Sequence, residues 1–182
     1  MMDVRPAFMD LATSIGWAAW TPGQFPTWGT HVLPKCLALD GSADIGRFLE
    51  EFEHFLVAFF MVQQPTHLCY EAPWVGPRTH QDTARKLLNM SGFLEYICRK
   101  YEVRCYEINN TIPRKHFTGK GRAPRKEMKA MVIDECRRRG FGPKNDDEAD
   151  ALAGLDYMAH RFDIETCWPA RGAGPLFEGA TE

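Results

Sequence analysis

The chain has 182 residues, 45% of them hydrophobic and 25% charged, with a formal net charge of −2. That is the balance of a soluble globular protein with enough chain for one compact domain and a real core. It argues against a bulk electropositive nucleic-acid binder, although an average says nothing of local patches. No apolar run reaches the length of a membrane span, and the first residues lack the basic and apolar stretches of a signal peptide. A cytoplasmic protein without a membrane partner is expected. The six cysteines are scattered, with no C-x-x-C pair, and read as buried thiols in a reducing compartment.

The first apolar run, residues 7–11 (AFMDL), reads as a strand interrupted by one carboxylate. Thr13-Ser14-Ile15-Gly16 is a turn signal, and residues 17–20 begin a second strand. Pro22, Gly23 and Pro26 break the chain before a third strand over 27–33. Three short strands in succession suggest an antiparallel meander.

Residues 43–64 place Ile45, Phe48, Leu49, Phe52, Phe55, Leu56, Phe59 and Phe60 at helical spacing. A buried strand follows over 67–71 (HLCYE). A second helix spans 79–101, weakened at Ser91-Gly92, and another strand spans 103–108. On the second helix, Leu87, Leu88, Gly92, Leu94 and Ile97 serve either a partner surface or the core. A basic connector leads to a helix over 123–139, ended by Gly140. The last helix runs over 146–162, and the Gly- and Pro-rich residues 163–182 read as a flexible tail. The order predicts an α/β fold: one domain over 1–162, a mixed sheet with helices on both faces, and parallel strands wherever a helix joins them.

The last helix begins NDDEADALAGLDYMAH. Asn145 is a good N-cap, Glu148 completes a capping-box pattern, and acids in a first turn suit the helix dipole. Capping accounts for Asp146, Asp147 and Glu148. It accounts less well for Asp150, which lies beyond the first turn and precedes small, apolar residues. Asp150 shares a face with Asp147 and nearly with Asp146. Carboxylates on one half-buried face repel unless a cation lies between them, and oxygen-only donors suit a hard divalent ion.

Two further acids stand at suggestive places. Asp10 sits within an apolar strand, where aspartate is disfavoured, unless it caps the turn near Thr13. Glu71 ends the strand HLCYE, where it could simply be solvated. Together the acids suit two magnesium ions about 3.5–4 Å apart, which activate water and stabilise the leaving oxygen in phosphodiester cleavage. Manganese is expected to substitute.

Between 111 and 129 the chain reads TIPRKHFTGKGRAPRKEMK. Arg114, Lys115, Lys120, Arg122, Arg125, Lys126 and Lys129 carry one sign of charge. Gly119 and Gly121 let backbone approach a phosphate. A solvated helix face would read the same way. Arg137-Arg138-Arg139 either extends this patch or complements a helix C-terminus. Trp74, in the loop APWVGPRTH, either stacks on an unpaired base or packs over the sheet end.

Four segments, AFMDLATSIGWA, LCYEAPWVG, HFTGKGRA (with Met128 beyond it) and DDEADALAGLDY, resemble in order the motifs of RuvC-type Holliday-junction resolvases, with the flavour of phage and prophage members. The resemblance covers roughly residues 5–162. It implies an RNase H-like fold with five strands in the order 3-2-1-4-5, which sets Asp10 beside Glu71. It further implies a magnesium-dependent homodimer that nicks four-way DNA junctions symmetrically, in a bacterial or phage-encoded setting. Asp10, Glu71, Asp147 and Asp150 match the catalytic acids, with Asp146 the alternative to Asp147. Trp74 matches the aromatic at the junction centre, and either Arg125 or Lys126 matches the family lysine. The other readings are a debranching nuclease or RNA–DNA hybrid ribonuclease on the same fold, or a non-catalytic junction binder. An actin-like phosphotransferase, suggested by DLATSIG alone, would need a second such domain.

Overall fold

A computed structural model describes residues 4–109 and 111–169. Three strands form the meander: β1 (Pro6–Asp10), β2 (Ser14–Ala19) and β3 (Thr27–Val32). Helix α1 (Ile45–Gln63) leads to β4 (His67–Glu71), and α2 (Gln81–Lys100) leads to β5 (Arg104–Ile108). Three helices follow: α3 (Thr111–Thr118), α4 (Arg125–Arg138) and α5 (Asp146–Arg161). The sheet order is β3-β2-β1-β4-β5. β1 pairs antiparallel with β2 and parallel with β4, and β4 pairs parallel with β5. The expected fold class and strand order are the observed ones.

Strand alternation divides the core in two. Ala7, Met9, Leu68 and Tyr70 face α1 and α2, where Phe48, Phe52, Leu56, Leu94 and Ile97 are buried. Phe8, Ala18, Cys69 and Ile108 face the other layer, with Phe117, Val132 and most of α5. Leu94 and Ile97 therefore belong to the core, whereas Leu88 is 56% exposed and Gly92 is exposed. Ser91-Gly92 does not interrupt α2, because the buried residues on either side hold it to the sheet.

Two expectations need correction, and one reading left open is settled. β2 begins at Ser14, so Gly16 is a strand residue and not turn punctuation. Its glycine answers to packing: a Cβ there would stand 2.1 Å from the backbone oxygen of Asp147. The basic connector is helical over its first half, as α3. Asn109 starts that helix by accepting a hydrogen bond from the Thr111 amide at 2.9 Å. Pro113 is tolerated in the first turn, where its missing N–H has no helical partner. The arginine triplet is not a free basic patch. Arg138 and Arg139 bond Glu135 at 2.7 and 2.8 Å, and Arg137 lies 3.5 Å from Asp134.

Arg139 is buried and also bonds Asp156 of α5. Trp168 donates to the same carboxylate at 2.7 Å and packs on Trp20. Packing of the unit thus extends past residue 162 at least to Trp168, while 170–182, the rest of the expected tail, lie outside the described residues.

α5 is buried on nearly every side, between the sheet, α3 and α4. Its Gly154 meets the Phe8 ring so closely that a Cβ would stand 2.2 Å from the ring. Gly154→Ala is therefore expected to destabilise the protein by about 2 kcal/mol, as overpacking does, despite the better helix propensity of alanine. Thermal and urea unfolding check this; an unchanged midpoint would refute the packing account.

Candidate active site

The register places Met9 opposite Tyr70 in parallel strands, so the next residues, Asp10 and Glu71, end β1 and β4 side by side. Alternation puts them on the face shared by Phe8 and Cys69, the face that α5 covers. The start of α5 comes down on the same sheet end. It can do so because β2 presents Ser14, Gly16 and Ala18 to it, all small. Ser14 Oγ donates to Asp147 Oδ2 at 2.7 Å.

The acids at the helix start divide by duty. Asn145 Oδ1 accepts from the Glu148 amide at 2.9 Å, and the Glu148 carboxylate accepts from the Lys144 amide at 2.7 Å. Asn145 Nδ2 also donates to Thr30 of β3 at 2.9 Å. Asn145 and Glu148 thus cap the helix and tie it to the sheet. Asp146 pairs with Lys129 of α4. Asp147 and Asp150 turn towards the strand ends, and both act electrostatically on Asp10.

Asp10 registers the crowding. Burial first, then the charges of Glu71, Asp150 and Asp147, raise its carboxyl to about 8, with Arg114 pulling the other way. A turn-capping aspartate accepting amide hydrogen bonds would be displaced downwards, so the direction argues against that role. Arg114 of α3 grips Asp150 with both arms of its guanidinium, Nε to Oδ1 at 3.2 Å and Nη2 to Oδ2 at 2.8 Å.

These groups line one cleft of about 670 Å³. Asp10, Glu71, Asp146, Asp147 and Asp150 supply its acids; Arg114, Arg122, Arg125 and Lys129 its cations. Trp74, 77% exposed, stands at its edge and folds over Gly76. Of the other expected DNA contacts, Lys115 lines a neighbouring hollow, Lys120 lies 3.5 Å from Glu127, and Lys126 is exposed outside the cleft. Between Arg125 and Lys126, Arg125 is the cleft residue. Sequence reasoning missed Ser14, read as part of a turn, and the pairing of Lys129. Strand alternation counted back from Ala18 would have found Ser14.

The donors suit a hard divalent cation in kind: all are carboxylate oxygens, gathered round an Asp10 that burial first and its acidic neighbours second hold raised. They are not drawn into a finished ligand set. Among the described residues, no three His, Cys, Asp or Glu side chains form a ready-made metal site. Asp150 is occupied by Arg114, and Asp147 by Ser14 through one oxygen. Asp10, Glu71, Asp147 and Asp150 are the residues that could hold such an ion, with Arg114 displaced from Asp150.

No protein-family profile matches the chain, and no curated protein sequence matches it. Solved structures do resemble it. Thermus thermophilus RuvC in complex with a Holliday-junction substrate superposes with a TM-score of 0.62 at 16% identity, covering 84% of this chain and 90% of that one. Another structure of Thermus thermophilus RuvC gives 0.61 at 15% identity, covering 88% and 98%. The yeast mitochondrial Holliday-junction resolvase Ydc2 gives 0.56 at 11% identity, covering 83% and 75%. The chain has the RNase H-like fold of the RuvC resolvases over most of its length.

Proposed function

We propose that the protein is a metal-dependent, structure-selective endonuclease that resolves four-way DNA junctions by paired nicks. The observation that carries this reading is the convergence of Asp10, Glu71, Asp147 and Asp150 on one sheet end, with Asp10 raised to about 8 by burial and the other three. The strand order and the likeness to RuvC structures support it.

Asp10, Glu71, Asp147 and Asp150 would hold two magnesium ions, or manganese in their place, which when bound would supply the charge that activates water and stabilises the leaving oxygen. The chain's own groups do the rest. Glu71, Asp147 and Asp150 hold negative charge at fixed positions, and Ser14 keeps the Asp147 carboxylate in one rotamer. Arg114, Arg122, Arg125 and Lys129, the cations lining the cleft, meet the phosphate backbone. Trp74 offers an exposed indole face to an unpaired base at the branch point. A homodimer would present two such clefts to paired strands, with Leu88 and Tyr96, 56% and 61% exposed on α2, available for the contact.

Asp150→Asn is expected to lower nicking of a synthetic four-way junction by about 10³-fold. Binding of the same junction in EDTA should stay within a few-fold of wild type. The assay compares junction, flap and RNA–DNA hybrid side by side. Preferred cleavage of the flap or hybrid would replace the resolvase reading with one of the broader nucleases, and full activity of the variant would sink the site assignment.

The pH dependence has a definite sign. Asp10 titrates at about 8 in the fold against 3.8 as the ordinary value. It is therefore protonated at neutral pH, and binding a cation must displace that proton. Apparent magnesium affinity should rise by up to about tenfold per pH unit towards 8 and level off above it. Calorimetric titration at pH 6.5, 7.5 and 8.5 checks this, and affinity independent of pH would refute it.

A further inference from the structure

Beside the acidic cleft lies a second, larger hollow of about 920 Å³. Thr111, Gly121 and Arg122 line both, so the two are neighbours across one rim. They differ in their carboxylates. Five carboxylates line the cleft, and none lines the hollow.

The hollow takes its positive charge from Lys115 of α3 and Arg122 of the loop after it. Both are exposed, and among the described residues neither is paired with a carboxylate. Its apolar surface comes from Ile112, 45% exposed, and from Tyr157 of α5. His116 lies between them, 3.0 Å from Asp156 and edge-on to the Tyr157 ring with centroids 5.8 Å apart. That contact fixes the wall against which a ligand would rest.

Gly121 lies on the rim that the two hollows share. A Cβ on Gly121 would stand 3.3 Å from Lys115 Cβ and 3.4 Å from the Thr111 carbonyl oxygen. The loop therefore packs closely on α3 at Gly121, and Gly121, Thr111 and Arg122 are common to both hollows.

We propose that the hollow is a binding subsite for the DNA strand leaving the acidic cleft. Lys115 and Arg122 take its backbone phosphates, and Ile112 and Tyr157 take the face of a sugar or base. The volume lies within the range that holds a ligand of nucleotide size. The shared rim favours a continuous strand over a free nucleotide. The proposal rests on the nuclease reading above and adds to it the path of the strand.

The test uses a fluorescein-labelled four-way junction in EDTA, with anisotropy measured over a salt series. Lys115→Ala/Arg122→Ala should bind about tenfold more weakly than wild type. Its slope of log Kd against log salt should be shallower by roughly two units, one for each phosphate that the variant no longer holds. Single neutral methylphosphonate linkages are then placed at successive positions along one strand of the junction. One or two of them should weaken wild type and cost the double variant nothing further. A double variant with the wild-type slope, or one that suffers every neutral linkage as much as wild type does, overturns the subsite. Failure of wild type itself to bind any junction overturns the nuclease reading instead. Circular dichroism and the unfolding midpoint of the double variant separate weakened phosphate binding from a damaged fold. Should the double unfold, Lys115→Gln/Arg122→Gln replaces it in the same series.

Discussion

Everything at the candidate site depends on how closely α5 is pressed to the sheet. Two glycines set that distance. Gly154 lets the helix lie against the Phe8 ring, and Gly16 lets its first turn come down on β2. With the helix seated there, the start of α5 meets the ends of β1 and β4. Acids from three elements that are far apart in sequence then share one cleft. The small residues in α5 and the S-x-G-x-A pattern of β2 are two halves of one contact.

That proximity has an electrostatic cost, and the protein meets part of it internally. Arg114 holds Asp150, Lys129 holds Asp146, and the Ser14 hydroxyl solvates Asp147. At Asp10 the pull of Arg114 is outweighed by burial and the neighbouring acids, and its carboxyl stays raised. On the nuclease reading, an incoming strand would compete for Arg114 and Lys129, and each release would leave a carboxylate open to an external cation. Substrate and metal would then be coupled through the same side chains.

Much of the fold was legible in the sequence because its signals were strong and local. The phenylalanine periodicity of α1 and the apolar run of β4 each allow one interpretation. So does the capped start of α5. The strand order came from the resemblance of four motifs, not from periodicity. What escaped had two physical sources. Gly16 and Ser14 look like a turn because glycine punctuates loops, and only the approach of Asp147, 131 positions after Gly16, explains them. α3 was hidden because its apolar positions are few among basic residues, and Phe117 is buried by α5 packing that no local window contains. The duties of the acids were partly legible. Capping by Asn145 and Glu148 was visible; the pairing of Asp146 with Lys129 required the tertiary contact of α4 with α5.

Two aspartates in the same layer show what separates a structural carboxylate from one available for chemistry. Burial works to raise Asp156, but His116, Arg139 and Trp168 together hold it below the ordinary carboxylate range. Its stabilising contribution is present above the unfolded value and is lost as pH falls. Asp10 runs the opposite way. Its folded value lies above the unfolded one, so its contribution is full below about pH 4 and gone once pH has risen through about 8. Acid therefore loosens the α3–α5 contact at Asp156 while it relieves the cleft. Near neutrality the first group is ionised and satisfied by the protein, whereas the second keeps its proton. A fold that can bury an aspartate among three partners could have treated Asp10 in the same way. It instead surrounds Asp10 with further acids, in a cleft whose Arg122 and Arg125 stand exposed. That arrangement is better suited to receiving ions and phosphate than to holding the fold together.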